Sequence, residues 1–544
     1  MKLLVNSFRI IRDMKKCFII LFIIFIFQNL CSAKDLNSSN YESICDDLIR
    51  ANEDSVKVDY ADYYHRFSSF KLAQFLETYD ILNVNKTKVE EEQPGNVNEG
   101  ADVIDEREDS YEYRLRHIFD KKSIKDIQSK TIDEKEALLD IFVCDSCTYI
   151  FVMTVDTLDL LTINISRDTL KAWTNNIINP LYEAADIRSL EFNIDLAHRM
   201  YKEFFEPVEV YLSGKSSLII VPDDIFIAFP FECLVISKNF ESIDENILYQ
   251  DMADIQFLIH KYTISYNYST YISLRRVESL KESKSLGRRL MTLGLINADA
   301  EKDHTKQETN LFRESTYASN ELEKVTRLLW RNDNYSGRDL NSNILKHNCS
   351  NYRWFHFTTP VILDINDFGA SYIYLGEDKS NNEKRIGIQD ILDCHLRSDL
   401  VTLSRLSLSS TEKLKAIVSI PEAFLIAGSR SVLHNLWIID DITTSKFMSK
   451  YYYELKYKRE TNARALQVAK ISSMKGTVEI EETKISRAHP YFWATYILIG
   501  DSHVRPPSFS AMSPKMVIIV VYIIVFSLSF IIIRRTISSE NSGK

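Results

Sequence analysis

Glycine is scarce in this chain, at 13 of 544 residues. Neither a GxxxxGK[ST] nor a GxGxxG pattern occurs, so the two glycine-rich loops that cradle nucleotide phosphates are absent. There is no Lys/Arg-rich run, and the formal net charge is -10. Both features argue against nucleic acid as a partner. Cys144-Asp-Ser-Cys147 is the one CxxC, and neither a second CxxC nor an HxxxH completes a zinc site. It reads as a β-turn between strands, with or without a local disulfide. No metal and no cofactor are expected.

What remains is ordinary globular material, 45% hydrophobic and 26% charged. The chain is long enough for a large core and more than one domain. Two apolar segments stand out. Cys17 to Phe27 follows Arg9, Arg12, Lys15 and Lys16 and precedes Cys31-Ser32-Ala33, which reads as a signal peptide over 1–33. Met516 to Ile533 lies between Lys515 and Arg534-Arg535. A helix of that length rises about 27 Å, enough to span a bilayer. The expected topology is a single-pass type I membrane protein with a lumenal or extracellular ectodomain and a cytoplasmic tail, 534–544. Six sequons lie between the two segments, at Asn37, Asn85, Asn164, Asn267, Asn334 and Asn348, as in a glycoprotein. Six cysteines remain after Ala33, and their pairing is not readable from the sequence.

Along the chain, 34–88 reads as a helical region, with Tyr60, Tyr63, Tyr64 and Phe67 on one face. Glu90 to Glu112 carries ten acidic residues against one Arg and reads as a solvated linker within 89–135. Strands and helices then alternate over 136–503. Tyr149–Thr154 and Asp159–Ile163 read as a hairpin. Leu218–Val221, Met291–Ile296, Trp354–Phe357, Leu400–Leu403 and Ser431–Leu436 are short apolar runs suited to buried parallel strands. Helices are expected over 196–205, over 319–329, and over 421–427 with Gly428 as the stop. Such alternation predicts an α/β fold with a mostly parallel sheet covered on both faces. A stalk, 504–515, would lead to the membrane helix.

The wording and order of six segments resemble the CHAT family, caspase-like domains of the caspase/separase clan of cysteine peptidases. They are Ala137-Leu-Leu-Asp140; Leu218-Ile-Ile-Val-Pro-Asp223 with Phe229-Pro-Phe-Glu-Cys-Leu234; Tyr335-Ser-Gly-Arg338 onward to His356-Phe357; Leu400-Val-Thr-Leu-Ser404; Ala423 to Val432 with Leu436-Trp437 and Asp440-Asp441; and His489-Pro-Tyr-Phe-Trp-Ala494 leading to Leu498-Ile-Gly500. The resemblance implies a caspase-like sheet flanked by helices and, in active members, peptide cleavage by a Cys deprotonated by His. No tetratricopeptide signature is visible in 34–135.

The chain departs from the family where the chemistry should be. The family's H-x-A-T-H-G is here His356-Phe-Thr-Thr-Pro360-Val361, which puts Pro360 at the catalytic His position. The family's L-S-A-C is Leu403-Ser404-Arg405-Leu406, which puts Leu406 at the Cys position. The downstream Gly-Glu-Gly falls near Leu414-Lys415-Ala416, and the Gly after Pro222-Asp223 is Asp224. Neither proline nor leucine can attack a carbonyl or carry a proton. His356, four residues before Pro360 on an extended strand, lies about 13 Å from it. Cys394-His395 point apart on an extended chain. The expectation is therefore a pseudo-peptidase that binds a peptide or protein partner through a groove near His356, Thr359, Ser404, Arg405 and Ser407. Two alternatives stay open: an endopeptidase using a non-standard nucleophile such as Ser407, and a structural surface glycoprotein.

Overall fold

The structure is a computed structural model. It describes residues 124–505 apart from 185, 239–246, 269–289, 295–315, 329–331, 337–339, 365–367, 378–382, 408–418 and 481, together with Tyr522, Ile523, Phe526 and Ser529. The helical reading of 34–88, the acidic stretch and the signal segment lie outside the described residues.

The described chain divides at Val504/Arg505 into two units. The first is built on an eleven-stranded sheet. In chain order its strands are β1 (Glu136–Val143), β2 (Thr148–Met153), β3 (Leu158–Ile163), β4 (Ser217–Val221), β5 (Thr263–Tyr266), β6 (Leu290–Gly294), β7 (Asn332–Ser336) and β8 (Trp354–Phe357). Then come three strands of a smaller sheet, β9 (Val361–Ile362), β10 (Tyr372–Glu377) and β11 (Glu383–Gly387). The large sheet resumes with β12 (Leu400–Leu403); β13 (Leu406–Ser407) joins the small sheet, and β14 (Ser431–Asn435) and β15 (Tyr496–Gly500) return to the large one. The order across the large sheet is β7-β6-β8-β12-β14-β15-β5-β4-β1-β2-β3, and the small sheet runs β11-β10-β9-β13.

From β7 to β14 every neighbouring pair is parallel, as are β5-β4 and β4-β1. The central strands are short runs buried on both faces, which is what a covered parallel sheet demands. β15 turns antiparallel against β14, and the β1-β2-β3 meander closes one end. This is the caspase-like, mostly parallel arrangement that the resemblance implies.

Helices cover both faces. In chain order they are α1 (Ile124–Thr131), α2 (Arg167–Tyr182), α3 (Ile194–Met200), α4 (Thr316–Leu328), α5 (Ser342–Asn348), α6 (Ile388–Leu392), α7 (Ser419–Ile426), α8 (Asp441–Tyr453) and α9 (Asn462–Met474). Caps fix several starts: Ser166 accepts from Thr169 N, Asp440 from Thr443 N and Thr461 from Arg464 N. Gly428 follows α7 with φ +116°, where a Cβ would come within 2.3 Å of Leu396 O. Only glycine fits that helix stop.

Buried polar contacts tie the elements together. Lys470 on α9 and Glu232 are both almost fully buried and meet at 2.7 Å, and Tyr266 donates to the same carboxylate at 2.5 Å. At the N-terminal ends of β8, β12 and β14, Arg353 pairs with Asp399. Arg430 reaches Asp399 at 3.5 Å and Asp501 at 2.5 Å. Burial outweighs both arginines and raises the Asp399 pKa.

Two expectations are corrected here, and one alternative is narrowed. Among the described residues no helix is long and apolar enough to cross a membrane. The type I membrane assignment is overturned on that ground; most of 516–533 lies outside the described residues, and the four residues that are described are helical. Cys144 is disulfide-bonded but Cys147 is free, so the turn holds no local disulfide and the partner of Cys144 lies outside the described residues. Asn267 is 3% exposed, so in the folded chain its side chain has no room for a glycan. Asn164 and Asn334 are exposed, the latter accepting from Thr292 Oγ1 at 2.5 Å. Asn37 and Asn85 lie outside the described residues, and Asn348 ends α5.

Candidate functional site

β8 and β12 are adjacent parallel strands in the middle of the sheet, with His356 level with Thr402 and Phe357 level with Leu403. Each runs on into a strand of the small sheet. Val361 in β9 lies level with Leu406 in β13, and Ile362 with Ser407. Val361 N donates to Arg405 O at 3.0 Å, and Ser404 N to Phe357 O at 3.0 Å. The two chains therefore travel side by side from 354 to 362 and from 400 to 407. Positions 360 and 406 fall on neighbouring segments just past the ends of β8 and β12. The residues at these two positions are Pro360 and Leu406.

The surroundings are closed. Thr358, Thr359, Pro360 and Val361 are all buried, and Tyr374 N on β10 donates to Pro360 O at 2.9 Å. The hydroxyls of Thr358 and Thr359 have no hydrogen-bond partner among the described residues. Ser404 is 4% exposed and its Oγ donates to Phe357 O at 3.2 Å. Arg405 is half-buried. Ser407 is placed by its backbone pairing with Ile362.

His356 belongs to a different constellation. Its Nε2 meets Glu321 Oε1 on α4 at 3.0 Å and its Nδ1 meets the Tyr452 hydroxyl on α8 at 3.0 Å. Tyr452 also meets Thr402 Oγ1 at 2.8 Å. With the ring proton on Nε2 facing Glu321, Nδ1 accepts from Tyr452 and Tyr452 accepts from Thr402. Burial holds the Tyr452 phenol above its usual range, with Thr402 opposing and Glu321 adding to that shift. This chain of four bonds a sheet face to the two helices that cover it. Of the five residues expected to line a groove, His356, Thr359 and Ser404 are instead packed inside, because strand parity and the overlying helices turn them away from solvent.

His434 on β14 lies level with Leu403; burial lowers its pKa to about 4, with the Asn435 carbonyl opposing. Cys233 follows β4, and burial pushes its thiol up. Cys394 Sγ donates to Asp390 O at 3.2 Å and its thiol hydrogen-bonds with that of Cys349. Among the described residues no group of His, Cys, Asp and Glu is arranged to hold a metal ion.

The CHAT domain family's profile matches residues 195–501, more than half of the chain. The chain belongs to the CHAT domain family. The match begins after β1–β3, which nonetheless complete the same sheet as the CHAT strands. Among curated proteins, Tetratricopeptide repeat protein 28 of Homo sapiens is 27% identical over 156 residues, 28% of this chain and 6% of that protein. Its Mus musculus counterpart is 26% identical over 155 residues, with the same two shares. The chain thus spans a small fraction of these relatives. Among solved structures, the Saccharomyces cerevisiae separase-securin complex has a chain 11% identical with a TM-score of 0.44, covering 82% of this chain and 34% of its own. The Arg specific cysteine proteinase gingipain R is 10% identical with a TM-score of 0.33, covering 60% of this chain and 74% of its own. No activity follows from likeness at that level.

Two features of this CHAT domain escaped the sequence reading. Asp224, where the family carries Gly, pairs with Arg167 at the start of α2, and Arg167 Nη1 also donates to Val143 O at 2.7 Å. Glu136 at the start of β1 meets His503 at 2.8 Å and Ser502 Oγ at 3.0 Å. Neither pair is near in sequence, so no local spacing announces it.

Proposed function

We propose that this protein is a CHAT pseudo-peptidase, a domain that engages a protein partner without cleaving it. The observation that carries the reading is the register of Val361 on Leu406. It supports the reading by setting Pro360 and Leu406, the residues at the two positions that the resemblance makes catalytic, on adjacent segments. Without a nucleophile or a base there is no acyl-enzyme, and losing both removes several orders of magnitude in rate. The burial of residues 358–361 supports recognition by an outer surface over the threading of a peptide across the strand ends.

The test is turnover of a diverse peptide library by the full chain, with labelling by electrophilic cysteine and serine probes. The expected result is neither cleavage nor labelling of residues 394–407. Cleavage that disappears in Ser407→Ala, or probe attached to Ser407 or Cys394, overturns the reading and favours the non-standard peptidase.

A further inference from the structure

The chain as a whole is acidic, yet the stretch from α8 into the turn after it carries the opposite sign. Past Asp440 and Asp441 at the helix start, residues 442–459 hold five basic residues, Lys446, Lys450, Lys456, Lys458 and Arg459, against one acidic residue, Glu454. Glu454 is 5% exposed and turned onto Lys450 at 2.5 Å. The helix has two faces. Phe447, Met448, Tyr451, Tyr452 and Leu455 are buried, while Ile442, Lys446, Tyr453 and Tyr457 are exposed at helical spacing, with Ile438 exposed just ahead. Lys324 of α4 extends the basic flank, its Nζ reaching Ser445 Oγ at 3.1 Å. The exposed face of α8 and the turn after it is thus a stripe of apolar and aromatic groups edged with lysines. Half-buried Glu460 comes only after Arg459.

We propose that this face is a docking surface for an acidic peptide segment of a protein partner, one that interleaves carboxylates with apolar side chains. Charge complementarity selects the acidic component: Lys446, Lys458 and Arg459, all exposed beside the tyrosines, offer carboxylates ion pairs at the rim of an apolar contact. The geometry disfavours two other anions. Tyr453 and Tyr457 pack on each other, ring centroids 5.1 Å apart and 41° between planes. Lys450 lies 5.6 Å over the first ring and Lys456 4.8 Å over the second. Ring faces covered by cations are not platforms for stacking nucleobases. A bilayer needs a protruding apolar face, and these side chains are only part-exposed, Tyr457 at 53% being the most exposed. The surface stands whether or not positions 360 and 406 are inert, so its test is separate from the turnover assay.

Fluorescence anisotropy of the full chain with a fluorescein-labelled peptide of Glu and Phe, beside the same peptide with Lys for Glu, reads the proposal. The acidic peptide should bind saturably and the basic one should not. Lys446→Gln with Lys458→Gln should weaken binding about tenfold and flatten its salt dependence. Tyr453→Ser with Tyr457→Ser should weaken it by at least as much. Thermal melts of both variants confirm folding, and Tyr453→Phe with Tyr457→Phe, which keeps the ring packing, should bind like the parent. Equal affinity of parent and variants overturns the proposal. So does a face that takes up single-stranded RNA or phosphatidylserine vesicles, sensitive to the same lysines, while ignoring the acidic peptide.

Discussion

Positions 360 and 406 are neighbours through their backbones, because Val361 N reaches Arg405 O and pairs in register with Leu406. What they lack is side-chain chemistry, and that can be returned. A thiol at 406 by itself should react slowly at neutral pH, since an unperturbed cysteine is mostly protonated. An adjacent imidazole lowers a thiol pKa. Leu406→Cys combined with Pro360→His should therefore alkylate with iodoacetamide about tenfold faster at pH 7 than Leu406→Cys alone. Equal rates would mean that a side chain at 360 does not reach one at 406.

Among the elements, one buried polar link runs from β12 through α8 and β8 to α4. Tyr452 stands at its centre, bonded to both His356 and Thr402. Tyr452→Phe keeps the ring and removes the hydroxyl, leaving Nδ1 of His356 and the Thr402 hydroxyl unpaired inside. A loss of about 1–3 kcal/mol in unfolding free energy is expected by denaturant titration, and a value near zero would mean that the chain of hydrogen bonds contributes nothing. The strands in this link were legible in advance: Trp354–Phe357 and Leu400–Leu403 are apolar runs whose bounds match the observed strands. His356 was not legible as a buried bridge, because its partners Glu321 and Tyr452 lie 35 and 96 residues away.

For the whole molecule, the contact between Glu136 and His503 joins the first strand to the segment that follows the last. Burial pushes the His503 pKa down, but the hydrogen bond to Glu136 and the charges of Glu136, Asp133 and Asp501 together lift it to about 9. A folded-state value above the unfolded one means that protonated His503 stabilises the fold. That contribution is fully present below about pH 6.5 and fades as pH rises through about 9. The ring is 37% exposed, so solvent screening keeps the effect to the order of 1 kcal/mol. Between pH 7 and 9.5 the unfolding free energy should fall less steeply for His503→Asn than for the parent. Parallel pH profiles would remove His503 from the account.

Local spacing was enough for the hairpin, the buried strands and the glycine that stops α7, because each is written in neighbouring residues. It was not enough to show which polar side chains face inward. His356, Thr359 and Ser404 look like groove residues in one dimension, but the helices stacked on the sheet and the small sheet beyond it bury them. Long-range packing also chose the partners of Arg167, Glu136 and Lys470 and, among the described residues, left one face of α8 exposed. Ion pairs and burial join residues that are distant in the chain, so only the folded arrangement could decide them.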